Sequence, residues 1–241
     1  MKIQVYKDST QIGKAAAALF AAKVIEKPDC VLGFATGSTP LPTYAEIVKL
    51  YKAGAVDFRN VRTFNLDEYV GIARTHDQSY YKFMFDNLFS KINVNPKNVN
   101  VPNPVSKDPE SDCEEYERAI EAAGGIDLQI LGIGHNGHIA FNEPCDIFPA
   151  KTHIVSLTES TIEANKRFFK SAKDVPRKAM SMGIGSIMKA KEIVLIATGE
   201  AKALAVKDMV KGEIDPKLPA SILQLHPAVT ILLDKEAASL L

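Results

Sequence analysis

Short apolar runs, each bounded by turn residues and separated from the next by an amphipathic helical pattern, recur along the 241 residues of this chain. "KIQVY" leads into a helical pattern through Lys27, and "CVLGFA" into another from about Leu41. "VRTFNL", "LQILGI", "HIVSL", "EIVLIA" and "VTILL" follow in turn. Strands separated by helices predict βαβ units, hence an α/β fold with a mostly parallel sheet and helices on both faces. With 46% hydrophobic residues the chain can build a sizeable core. Its length fits one large domain, 1–241, better than two small ones. No internal repeat or low-complexity linker divides it.

Open parallel sheets bind ligands outside the carboxyl ends of their strands, so the residues that follow each run carry the functional reading. After "CVLGFA" comes "TGSTP", where Thr36, Gly37, Ser38 and Thr39 can turn N–H groups and hydroxyls inward at a helix N-terminus. Such a corner binds phosphate or carboxylate. The simpler alternative is Ser or Thr capping of the helix. The segment is neither a Walker A sequence nor G-x-G-x-x-G, so a nucleotide site is not indicated.

In "TFNLDEYVG", Asp67 and Glu68 end a strand. Adjacent acids also occur in solvated turns, but a carboxylate beside a phosphate corner is placed for chemistry. "LGIGHNGHIAFNEP" sets three glycines, two histidines, Asn136 and Glu143 directly after another strand. His135 and His138 have H-x-x-H spacing, yet Gly137 argues against the helix on which such metal ligands are arranged. His138 reads as an acid–base group oriented by Glu143. A satisfied structural imidazole is the simpler reading of either ring, and more so of His135. Arg167 in "TIEANKRFF" and Lys202 in "ATGEAKALAV" are solvated cations unless they converge on the phosphate corner. Lys202 follows a second strand–Thr-Gly–helix pattern.

Charge balances at 29 basic against 29 acidic residues, which offers no global pull towards nucleic acid or an anionic membrane. The N-terminus lacks the order of a signal peptide, and no apolar run approaches the roughly 20 residues that span a bilayer. Cys30, Cys113 and Cys145 are without metal-ligand spacing and read as reduced thiols, which points to the cytoplasm.

Taken together, "ATGSTP", "FNLDEYVG", "HDQSYYKFM", "LGIGHNGHIAFNEP", "TESTIEANKRFF", "ATGEAKALA" and "LQLHP" resemble the glucosamine-6-phosphate deaminase family, within the glucosamine-6-phosphate isomerase and 6-phosphogluconolactonase superfamily. The motifs stand in the family's order and span nearly the whole chain. The resemblance implies a Rossmann-like sheet without a nucleotide, no cofactor and no metal. It implies conversion of D-glucosamine 6-phosphate and water to D-fructose 6-phosphate and ammonium, in amino-sugar catabolism. His138, supported by Glu143 and Asn136, would open the sugar ring. Asp67 would take the C2 proton and return it at C1 through an enolamine. Thr36, Gly37, Ser38 and Thr39, with Arg167 and Lys202, would hold the phosphate. A carboxylate base needs only closeness and partial dehydration for this task.

Two departures from the family carry expectations. Many members have Asp where this chain has Asn136, so the His138–Glu143 pair is expected to suffice for ring opening. Members activated by N-acetylglucosamine 6-phosphate carry Arg and Lys in the segment that reads "HIV" here, and have a longer C-terminal tail. Hyperbolic kinetics and a monomer or small homo-oligomer are therefore expected. "LTESTIEANKRFF" is expected to form a helical lid that brings Arg167 to the phosphate. Two competing readings remain: a 6-phosphogluconolactonase, which needs no base at C2, and a sugar-phosphate sensor, which would lack the acid–base set.

Overall fold

The computed structural model describes every residue except 106, 158, 160, 161, 164–168, 170, 172 and 173. Seven parallel strands make the main sheet. They are β1 (Lys2–Tyr6), β2 (Val31–Phe34), β3 (Arg62–Asn65), β5 (Val99–Asn100), β6 (Leu128–Leu131), β9 (Glu192–Ala197) and β10 (Val229–Asp234), in the spatial order β1-β10-β9-β6-β2-β3-β5. The central strands β2 and β6 are buried along their whole length, and β9 along all but its first residue. A sheet covered on both faces demands such continuous apolar runs.

Helices α1 (Ser9–Glu26) and α2 (Leu41–Lys52) cover one face. Asp8 starts α1 by accepting the Gln11 N–H at 2.9 Å, a side-chain N-cap. Ile12, Ala16, Phe20 and Val24 then recur at helical spacing and are buried. Phe20 stacks on Phe34 of β2, which also meets Tyr44 of α2 and Phe89 edge-on. Helix α4 (Pro109–Ala122) covers the opposite face, where Tyr116 meets Phe64 edge-on at 5.6 Å. Phe64 precedes Asn65, the register partner of Phe34, so strand alternation sends it to the other side.

A second sheet of three antiparallel strands, in the order β4 (Asp67–Tyr69), β8 (Lys178–Ser181), β7 (His153–Ser156), stands beside the first. Two expectations change here. "HIVSL" belongs to this small sheet rather than the parallel one. The acids do not end β3: the main-sheet strand stops at Asn65, and Asp67 and Glu68 open β4. Leu66 joins the sheets, donating its N–H to Phe34 O at 3.0 Å and accepting that of Met182 at 2.7 Å. Helices α3 (Tyr80–Asn87), α5 (Ile184–Met188) and α6 (Ala203–Lys211) complete the described regular elements the site requires. Among the described residues, no helix is long and apolar enough to cross a membrane.

Strand order reverses between β2 and β6. From β2 the chain moves outward to β3 and β5; from β6 it moves the other way, to β9 and β10. Crossovers that leave in opposite directions open a crevice above the carboxyl ends of the two strands. The sequence clusters "ATGSTP" and "LGIGHNGHIAF" emerge at this point.

Candidate active site

A cavity of about 470 Å³ occupies the crevice, within the range of small-molecule sites. Thr36, Gly37 and Thr39 line it from the β2 side; Asp67 from β4; His135, Asn136 and His138 from the turn after β6; and Lys202 from the start of α6. Ser38 is exposed on the same turn as Thr36 and is not among the lining residues. Arg167 and most of the expected lid fall outside the described residues.

The phosphate-type corner does not act as a side-chain cap. The N-cap of α2 is Pro40, which makes no side-chain capping bond, so the hydroxyls of Thr36 and Thr39 are not committed to that helix. Tyr44 in α2 donates its hydroxyl to Ala35 O, which fixes the start of the corner. Lys202 stands at the N-cap of α6, after the turn at Gly199. Burial lowers its pKa. Its charge in turn is the main cause that lowers the pKa of His135. His135 is thus an exposed ring in the cavity wall beside a cation, not a core histidine.

The turn after β6 is built around His138. A Cβ on Gly134 would lie 2.3 Å from Cε1 and 2.4 Å from Nδ1 of that ring, so only glycine lets the imidazole lie flat on the backbone. Gly137 has φ +80°, the left-handed region that other side chains avoid. Gly134 donates its N–H to His138 O at 2.8 Å. The turn is anchored to the small sheet where Phe141 N–H donates to Ser181 Oγ at 3.1 Å and Asn142 Nδ2 to Met182 O at 2.8 Å. Ala140 sits at φ +52°, the only described non-glycine residue with positive φ.

His138 Nδ1 lies 2.7 Å from Asn136 Oδ1, and Asn136 Nδ2 donates to Glu143 Oε2 at 2.7 Å. Glu143 Oε2 is 3.4 Å from the ring, so the direct partner of the imidazole is the amide. A carboxylate only accepts hydrogen bonds, so it selects the Nδ2 end of Asn136; Oδ1 must then accept from Nδ1–H. The chain Glu143–Asn136–His138 therefore leaves the Nε2 lone pair of a neutral imidazole as the ring's free acceptor. The expected pair is a relay of three.

Asp67 is 6% exposed and, among the described residues, its carboxyl receives no hydrogen bond. Burial, reinforced by the neighbouring Glu68 charge, pushes its pKa up to about 8. A dehydrated carboxyl with a raised pKa that opens on a cavity has the properties of a general base. The shift is larger than the sequence required. Among the described residues, no three His, Cys, Asp or Glu side chains are grouped as a metal's donor set.

An aromatic wall escaped the sequence reading. Tyr80 and Phe141 both line the cavity and stack with ring planes 4° apart. Tyr69 lies 4.8 Å from the Tyr80 ring. "HDQSYYKFM" contained Tyr80, but no spacing ties a residue on α3 to one in the turn after β6.

Comparison with known proteins adds an independent line. Residues 7–232 match the model of a family described as glucosamine-6-phosphate isomerases/6-phosphogluconolactonase. A glucosamine-6-phosphate deaminase from Thermoanaerobacter pseudethanolicus is 56% identical over 241 residues, all of this chain and 95% of the relative. One from Clostridium botulinum (strain Loch Maree) is 54% identical over 239 residues, 99% of this chain and 98% of the relative. A solved monomeric glucosamine-6-phosphate deaminase superposes with a TM-score of 0.97 at 43% identity, with both chains covered completely. A 6-phosphogluconolactonase from Trypanosoma brucei shares the fold at TM-score 0.75 and 19% identity.

Proposed function

The chain belongs to the glucosamine-6-phosphate isomerase/6-phosphogluconolactonase family, and from that premise we propose that it is a glucosamine-6-phosphate deaminase. It converts D-glucosamine 6-phosphate and water to D-fructose 6-phosphate and ammonium, as an enzyme of amino-sugar catabolism. The observation that carries this reading is a single cavity with three functions on its walls: a cationic corner, an oriented imidazole and a dehydrated carboxyl.

The substrate's phosphate binds at Thr36, Gly37, Ser38 and Thr39, with Lys202 and Arg167 as counter-charges. Lys202, whose pKa burial lowers and which has no ion-pair partner among the described residues, gains a dianion. The bound phosphate supplies remote binding energy that holds C1 and C2 in the carboxyl half of the site. His138 Nε2 accepts the proton of the C1 hydroxyl and delivers it to O5 as the C1–O5 bond breaks, giving the open aldehyde. Asn136 accepts from Nδ1–H throughout, and Glu143 stabilises the transient imidazolium through the amide. Asp67 then takes the C2 proton, and that bond's electron pair forms C1=C2 as the substrate's own 2-ammonium group passes a proton to O1, giving the enolamine. Return of the proton from Asp67 to C1 leaves a ketose imine. Water adds to C2 and ammonia departs.

One carboxyl serving two neighbouring carbons accounts for a base that is buried and, among the described residues, free of hydrogen bonds. A lactone hydrolase has no use for it. Residues 1–241 act as one domain, and the enzyme works as a monomer, the state of the solved relative that covers the whole chain. The three free cysteines are consistent with the cytoplasm. The deciding experiment incubates the protein with glucosamine 6-phosphate and follows fructose 6-phosphate and ammonium together, with Asp67→Asn alongside. Equimolar products from the parent and almost none from the variant support the proposal. No product, with hydrolysis of 6-phosphogluconolactone instead, overturns it.

A further inference from the structure

Glu68 directly follows the proposed base and is fully buried, yet no step of the reaction uses it. Its two oxygens accept three backbone N–H groups. Oε1 takes those of Tyr69 and Tyr80, both at 2.9 Å, and Oε2 takes that of Tyr81 at 2.8 Å. Tyr80 and Tyr81 are the first two residues of α3, and the third N–H, of Lys82, goes to Ser79 Oγ at 3.0 Å. Glu68 thus caps α3 from a different element, β4, across the excursion that separates them. The unpaired N–H groups and dipole of a helix N-terminus favour a negative charge there.

Its neighbour is treated in the opposite way. Strand alternation turns Asp67 and Glu68 to opposite sides of β4, and Asp67 has no donor among the described residues. The three N–H donors therefore favour the anion at Glu68 over that at Asp67. Burial raises Glu68 to about 7 against the pull of its three N–H donors. Asp67, with burial and the Glu68 charge acting together, follows at about 8. Arg74, whose guanidinium lies 5.1 Å from the Tyr81 ring centroid, adds its charge in favour of the Glu68 anion. Among the described residues, the other titratable groups around the pair are Tyr69 of β4, Tyr80 of α3, Tyr44 of α2 and Tyr116 of α4, all held neutral by burial. His135, His138 and Lys202 line the same cavity as Asp67.

Resting on the reading of Asp67 as the base at C2, we infer that Glu68 is a positioning residue for that reaction. As an anion clamped by the N-terminus of α3, it holds Tyr80 in the cavity wall and keeps Asp67 in a negative field that makes it a stronger base. Glu68 itself touches no substrate.

Glu68→Gln keeps the size and removes the charge. The expected result is a kcat lowered about tenfold or more with KM nearly unchanged, because the phosphate corner is untouched. The acid limb of the kcat/KM profile moves to lower pH by roughly one unit, as Asp67 loses a like-charged neighbour. A limb that stays in place or moves up overturns the inference, since a merely structural cap would lower activity without moving it. Should the variant not fold, carbon-13 NMR of the carboxyl-labelled parent decides, with Asp67→Asn to assign the signals. Ionisation of Glu68 before Asp67 as pH rises supports the inference, and the reverse order overturns it. Full turnover by Asp67→Asn removes the underlying reading of Asp67 as well. An inactive Asp67→Asn with an unmoved limb in Glu68→Gln removes only the role of Glu68.

Discussion

Nδ1 of His138 stands 2.7 Å from Oδ1 of Asn136, so the imidazole is oriented by an amide rather than by a carboxylate. Truncation by Asn136→Ala should lower turnover of the ring-closed sugar about a hundredfold, the scale of one positioned acid–base group. Asn136→Asp keeps an acceptor at Nδ1 but sets a second carboxylate against Glu143, and should change turnover by less than about tenfold. Steady-state assays of both variants check this. A gain of orders of magnitude in Asn136→Asp would show that the amide is a poor substitute.

Asp67, as the proposed base, should set the pH dependence. The base must be ionised, so kcat/KM should rise with pH and level off above about 8, the raised pKa of the free enzyme. Asp67→Asn should lose at least about a thousandfold in kcat. A profile flat from pH 6 to 9 would remove Asp67 as the titrating base.

The same carboxyl weakens the fold. A folded-state pKa above the unfolded value means that the native state binds the extra proton between the two. Its favourable contribution is complete below the unfolded value, near 3.8, and is lost as pH rises through about 8. Asp67→Asn should therefore be more stable than the parent at pH 8, by on the order of 1 kcal/mol or more. It should show little gain at pH 4. Denaturant melts at both pH values test the sign.

Gly134→Ala should disable ring opening while leaving the fold intact. The added methyl would lie 2.3 Å from the His138 ring, and the ring must swing away from Asn136. A loss of about a hundredfold or more is expected with the closed substrate. Unchanged turnover would mean that the ring's placement is unimportant.

Ala140 holds φ +52° beside the site. The left-handed region costs an L-residue roughly 1–2 kcal/mol, and glycine returns about 0.5–1 of that as chain entropy. Ala140→Gly should stabilise the protein by up to about 1 kcal/mol, raising Tm by roughly 2–4 °C. Calorimetry that finds a lower Tm would mean that the Ala140 methyl contributes packing worth more than the strain.

The segment His153–Val155 reads His-Ile-Val, where the resemblance implies an Arg and a Lys in activated members. Hyperbolic kinetics, insensitive to N-acetylglucosamine 6-phosphate, are expected from a monomer or small homo-oligomer. Sigmoidal kinetics relieved by that sugar phosphate, or a larger species in sedimentation, would refute this.

Local chemistry makes much of the protein legible in the chain itself. Continuous apolar runs such as those of β2 and β9 are the signature of strands buried on both faces, and Gly, Thr and Pro after them mark turns, so the parallel sheet and its ligand end could be read directly. Asp67, His138, Glu143 and Lys202 were visible because reactive residue types cluster where the strands end. Other features depend on residues remote in the chain. Strand β4 carries two acids where a strand pattern wants apolar residues, and only its pairing with β8 makes it one. Tyr80 lines the cavity and gives its N–H to Glu68, twelve residues earlier in the chain. The pKa of Asp67 is a property of its burial and of its neighbour's charge. Periodicity and residue type act over a few residues and are written in the chain; burial and electrostatic field are sums over everything folded around a group, and only the tertiary structure sets them.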